Sequence, residues 1–100
     1  MADCLYRLRG EVDMANAAEV RADLRRVIGS NGADLLVDCT DLTFIDSTGI
    51  AVLLEANQKL EAAGRHMLVL NVQYGPRHTF DALGLTDLLR YDRAVTHVER

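Results

Sequence analysis

Residues 41–50 read Asp-Leu-Thr-Phe-Ile-Asp-Ser-Thr-Gly-Ile, and they concentrate the candidate chemistry of the chain. A strand-like apolar run ends in Asp46. Two hydroxyls, Ser47 and Thr48, and then Gly49 follow, and a helix-patterned segment begins. This layout predicts Ser47 at the start of a helix, exposed yet held in place. A hydroxyl there can cap the helix by accepting a backbone N–H. It can attack a substrate. It can also accept a phosphate, whose charge suits the free amides and positive dipole end of a helix N-terminus. The spacing alone leaves these roles open and places the cap, on Ser47 or Thr48, first.

Each role makes further demands. A serine nucleophile needs a base within reach, and the G-x-S-x-G elbow of serine hydrolases is absent because Ile45 occupies its first glycine position. The three histidines, His66, His78 and His97, carry no triad signature. A small serine hydrolase is therefore the weakest alternative. Asp38, Asp41 and Asp46 do not have the spacing of a calcium loop, and neither a P-loop nor G-x-G-x-x-G occurs. No cofactor or metal is expected. A phosphate on Ser47 would add roughly −1.5 to −2 charge. It would leave its own helix folded and place that charge beside Asp46, with Asp13 a further acidic neighbour. A partner docked there would be repelled.

The elements that must position these residues follow from hydrophobic spacing. Cys4–Arg9 alternates as a strand, with Tyr6 and Leu8 on one face. Gly10 breaks it, and Glu11-Val12-Asp13 reads as an acidic turn. A helix over 16–28 carries Val20, Leu24, Val27 and Ile28 as one stripe, and Gly29-Ser30-Asn31-Gly32 closes it through left-handed backbone. Leu35-Leu36-Val37 reads as a strand covered on both faces. Ile50, Leu53, Leu54, Asn57 and Leu60 trace the next helix, ending at Gly64. Residues 67–72 form a strand. Pro76 opens a third helix anchored by Phe80 and Leu83 and stopped by Gly84. Leu88–Tyr91 is a last short strand, and Asp92 caps a turn carrying Val95 and Val98. Strand, helix and strand repeat as βαβ units in a single α/β domain over residues 1–100.

Composition limits the function further. One hundred residues with 49% hydrophobic content suit one aliphatic core. The net charge of −4 argues against nucleic-acid binding. Arg21, Arg25 and Arg26 interleave with Glu19 and Asp23 as a solvated helix face. No signal peptide and no membrane-length apolar run is apparent, so a soluble cytoplasmic protein without a membrane role is expected. Cys4 and Cys39 lack metal spacing and read as buried thiols. Parallel alignment of their strands puts them on the order of 17 Å apart, too far for a disulfide.

The run at 41–50 resembles the signature of STAS domains, in particular bacterial anti-sigma factor antagonists. Gly10-Glu11-Val12-Asp13 is similar to that family's Gly-Glu-Leu/Val-Asp turn. Phe80 to Leu89 resembles its third helix and last strand. The resemblance implies a mixed, mainly parallel four-stranded sheet with helices packed mainly on one face. It also implies a non-enzymatic binding module that captures an anti-sigma factor, usually a serine kinase, and so frees a sigma factor. The implied phosphorylation site is Ser47, and a phosphatase would restore binding. The resemblance carries Asp13, Asp46 and Gly49 over to the partner site, with Gly49 permitting close approach of the partner. The surface expected here comprises Asp13, Asp41, Asp46, Ser47, Thr48, Gly49 and nearby exposed helix residues. A STAS subunit of a lipid-transport ABC complex or a stressosome-like scaffold is the nearest alternative. Only three residues precede Cys4, so the family's usual first strand is missing or very short. The open edge would invite pairing of two copies, a route to a homodimer.

Overall fold

The computed structural model describes residues 4–30, 32–84 and 90–91. Its elements run β1 (Cys4–Val12), α1 (Ala17–Ser30), β2 (Leu35–Ile45), α2 (Ser47–Ala62), β3 (Met67–Leu70), α3 (Tyr74–Ala82) and β4 (Arg90–Tyr91). The strands lie side by side in chain order. Three make the sheet proper, and β4 adds a two-residue pairing beside β3. Every described pair is parallel, so the mixed sheet expected from the family resemblance is corrected. Each return between the first three strands is a helical crossover, which parallel pairing requires.

One face of the sheet is buried. Leu8 and Val12 of β1, Leu35, Val37, Cys39, Leu42 and Ile45 of β2, and Met67 and Val69 of β3 join the core. Helices α1 and α2 pack on the sheet and on each other, and α3 lies against β2. Val20 and Leu24 are buried along α1, and Ile50, Leu53, Asn57 and Leu60 along α2, as the helical spacing predicts. Burial of one such aliphatic side chain contributes about 1.5–3 kcal/mol.

β1 and β2 are both longer than their apolar runs. β2 continues through Asp38, Thr40 and Asp41 because these residues face away from the core. It is not covered on both faces. Relative to β1 it carries an extra residue after Asp38 and another after Leu42, seen as register shifts. The extra residues preserve the inward direction of Leu42 and Ile45, as bulges do. Gly10 does not end β1; it sits inside the strand at φ +64, a left-handed backbone that glycine accepts readily. β1 is the edge strand of the described sheet and carries Arg7, Arg9 and Glu11.

Several other boundaries move. Gly29 and Ser30 continue α1 rather than closing it. β3 stops at Leu70, where Asn71 takes φ 58, although Val72 beyond it is buried. Phe80 anchors α3, but Leu83 is 47% exposed because the helix has already ended at Ala82. Gly84 (φ +69) follows it, as expected of a stop. Leu88, Leu89, Asp92, Val95, His97 and Val98 lie outside the described residues. The arginines of α1 are engaged: Arg21 and Arg25 both bridge to Glu55 of α2, and Arg26 pairs with Asp23. Cys4 pairs in register with Leu35, four residues before Cys39, so the Cα atoms of the two free cysteines lie ~14 Å apart.

Candidate functional site

The carboxyl ends of β1 and β2 finish level with each other. Val12 pairs with Ile45, and the Asp46 amide donates to the Val12 carbonyl at 3.2 Å. The next residue of each chain segment, Asp13 and Asp46, is thereby held at the same edge. Functional residues of parallel α/β sheets collect at such carboxyl ends.

Asp46 is the N-cap of α2. Its backbone is extended, and its Oδ1 accepts from the Thr48 amide at 2.9 Å and the Gly49 amide at 3.1 Å. Its carbonyl accepts from the Ile50 amide at 3.0 Å. The capping role expected of Ser47 or Thr48 therefore belongs to Asp46. An acid immediately before a helix-patterned run was the signal for it. Ser47 becomes the first helical residue and is exposed, while Thr48 is half-buried. Among the described residues, no side chain hydrogen-bonds the Ser47 hydroxyl.

Gly49 is buried beneath this turn. A Cβ there would lie 2.7 Å from Ile45 Cγ1 and 2.8 Å from Val12 Cγ1. Its missing side chain thus lets α2 settle on the strand ends. The expected close approach of a partner at Gly49 is a separate matter from this internal fit to Ile45 and Val12.

Asp13 is held by a reciprocal turn. Its Oδ1 accepts from the Ala15 amide, and its own amide donates to Asn16 Oδ1, both at 2.9 Å. Asn16 Nδ2 also donates to the Glu11 carbonyl at 2.8 Å. Asp13 and Asn16 form a capping-box-like pair ahead of α1. Asn16 was not singled out as a site residue, although its three-residue spacing from Asp13 was legible. Asp41 is not brought into the site. It faces outward opposite Arg9, five residues back along β2 from Asp46, or about 16 Å.

The surroundings are acidic. Residues 10–20 and 41–58 contain no lysine or arginine. The Thr48, Gly49 and Ile50 amides at the start of α2 are already engaged by Asp46. A phosphate on Ser47 would therefore stand in solvent and add to the negative charge of Asp46 and Asp13, rather than sink into the helix end.

Among the described residues, neither His66 nor His78 hydrogen-bonds the Ser47 hydroxyl. His66 precedes β3 and donates its amide to Asp34 at the opposite end of the sheet, ~26 Å away by the length of β1. His78 lies against Tyr74 on α3, with ring centroids 6.3 Å apart. Among the described residues, no group of three or more His, Cys, Asp or Glu side chains is placed to hold a metal ion. No helix among the described residues is long and apolar enough to cross a membrane.

Away from the strand ends, Asp38 accepts from Thr40 and Asn71 on the outward face and pairs with Arg7 at 3.6 Å. Burial would raise its carboxyl pKa, but these hydrogen bonds and Arg7 outweigh it and lower the value. This cluster ties β1, β2 and the end of β3 together.

Comparison with known proteins agrees with this geometry. The sequence pattern of the STAS domain family matches residues 2–98. The anti-sigma-B factor antagonist of Bacillus subtilis is 28% identical over 87 residues, spanning 87% of this chain and 79% of that protein. The anti-sigma factor antagonist SpoIIAA in its unphosphorylated form superposes with a TM-score of 0.76 at 25% identity. That match covers 97% of this chain and 88% of SpoIIAA. The phosphorylated form of the Bacillus cell fate determinant SpoIIAA gives 0.67 at 24% identity, covering 98% and 91%.

Proposed function

The chain belongs to the STAS domain family, and on that premise we propose that it is a non-enzymatic anti-sigma factor antagonist switched at Ser47. In its unmodified state it binds an anti-sigma factor and so releases a sigma factor. The partner is a serine kinase that transfers the γ-phosphoryl group of ATP to the Ser47 hydroxyl, releasing ADP. A phosphatase hydrolyses the phosphoserine and restores binding. The similarity to anti-sigma factor antagonists over most of the chain supports the binding role.

The observation that carries the switch is the division of labour at α2. Asp46 caps the helix, and Ser47 is left exposed one residue later. Modification of Ser47 then breaks no structural hydrogen bond. It changes the charge and bulk of the surface shared with Asp13, Asp46 and Thr48, where a partner would dock. Repulsion and lost contact follow without internal rearrangement. SpoIIAA is named in both unphosphorylated and phosphorylated forms, which supports the same chemistry here.

Incubation with the cognate anti-sigma factor and ATP, followed by intact mass measurement, tests the proposal. One phosphate is expected on wild type and none on Ser47→Ala. Equal uptake by both proteins would remove Ser47 as the switch.

A further inference from the structure

Three large apolar side chains are exposed around the carboxyl end of the sheet. Met14 is 79% exposed, Phe44 48% and Tyr74 84%. Phe44 pairs in register with Glu11, one step before the Val12–Ile45 pair that leads into Asp13 and Asp46. Met14 directly follows Asp13. Tyr74 joins them through α3, because the Cβ position of Gly75 lies 3.8 Å from the Thr43 carbonyl. Three segments from three elements thus bring apolar side chains to the end that carries Ser47.

Exposed aromatic and methionine side chains beside charged residues have the composition of a protein interface. The charge at this end selects among partners. Glu11, Asp13 and Asp46 border it, and residues 10–20 and 41–58 contain no lysine or arginine. Arg77, one turn after Tyr74 on α3, is turned to the Val72 carbonyl at 3.2 Å. Anionic lipid and nucleic acid would be repelled, and a second copy would bring like charge to like. A protein with apolar side chains flanked by arginine or lysine is complementary.

We propose that Met14, Phe44 and Tyr74 form an apolar anchor beside Ser47 that receives aliphatic or aromatic side chains of a protein partner whose adjacent basic residues meet Asp13 and Asp46. The proposal rests on the binding role given above and deepens it. It divides the surface into an apolar part that supplies affinity and an acidic part that Ser47 modification disrupts. A phosphate next to the anchor would also hold water where the partner must exclude it.

The test measures binding of the purified anti-sigma factor that phosphorylates Ser47 to wild type, Met14→Ser and Tyr74→Ser. Leu5→Ser serves as the control. Leu5 is also exposed (52%), but lies near the opposite end of β1. Urea midpoints confirm that each variant is folded. Tyr74→Ser and Met14→Ser are expected to weaken binding about tenfold or more each, while Leu5→Ser binds as wild type. Wild-type binding that both variants retain in full would overturn the anchor and leave the switch standing. No binding by wild type would overturn both readings. Self-association, or binding to anionic vesicles, that Tyr74→Ser abolishes would reassign the patch and overturn the proposed partner.

Discussion

Replacing Gly49 by alanine tests how the site is seated. The added Cβ would meet Ile45 Cγ1 at 2.7 Å, Val12 Cγ1 at 2.8 Å and Ile45 Cδ1 at 3.1 Å. Carbon atoms settle at about 3.5–4.0 Å, so the first two contacts are short by roughly 0.7 Å or more. Both Cγ1 atoms belong to β-branched residues with stiff χ1 angles, and both residues are paired in the sheet. They cannot swing aside, so the first turn of α2 must lift. Overpacking of this kind costs about 1–3 kcal/mol. Alanine recovers up to about 1 kcal/mol of helix propensity. With two contacts this short the upper half of that range applies, which leaves a net loss of about 1–2 kcal/mol, or roughly 4–16 °C in Tm for a domain of this size. Urea and thermal unfolding read the change directly. Gly29→Ala is the control: nothing lies within 4 Å of its Cβ position, so the same substitution in α1 should be neutral or stabilising. A Gly49→Ala protein as stable as wild type would refute the packing argument.

Other consequences are independent of that contact. Asp46→Ala should cost about 0.5–2 kcal/mol of stability through loss of the cap, and Asp46→Asn much less, as read by urea midpoints. The Tyr6 phenol is pushed up from 10.0 to about 12, first by burial and then by its hydrogen bond to Asp23. Folding thus favours the neutral phenol. Its contribution is whole below pH 10 and is lost as pH rises towards 12, so Tyr6→Phe should flatten the alkaline fall in stability. Burial, with the nearby Asp38 charge, raises the Cys39 thiol to about 12. A thiol-specific reagent should therefore label Cys39 only on unfolding, and prompt labelling in the native protein would contradict its placement.

The sequence was most informative where spacing and burial coincide. Val20 and Leu24 on α1, the stripe from Ile50 to Leu60 on α2, and Phe80 on α3 follow directly from helical periodicity. The strands were less legible. In β2 the acids Asp38 and Asp41 interrupt the apolar run without ending the strand, since they point outward, and two register shifts hide its alternation. Gly10 carries the composition of a strand end but serves a left-handed step inside β1. At the site, the acid–hydroxyl–hydroxyl–glycine order located the helix start, yet the cap fell to Asp46 because its carboxylate reaches two amides. The buried fit of Gly49 depends on Val12, distant in sequence, and no local pattern reveals it.

The central claim is that a phosphate at Ser47 abolishes docking while leaving the domain intact. The most direct measurement is the affinity of the anti-sigma factor for unmodified and Ser47-phosphorylated protein, with backbone amide spectra of both forms. Binding is expected to fall at least tenfold on phosphorylation, with spectral changes confined to the Asp13 turn and the first turn of α2. Unchanged affinity, or a lost interaction accompanied by spectral changes throughout the sheet, would contradict it.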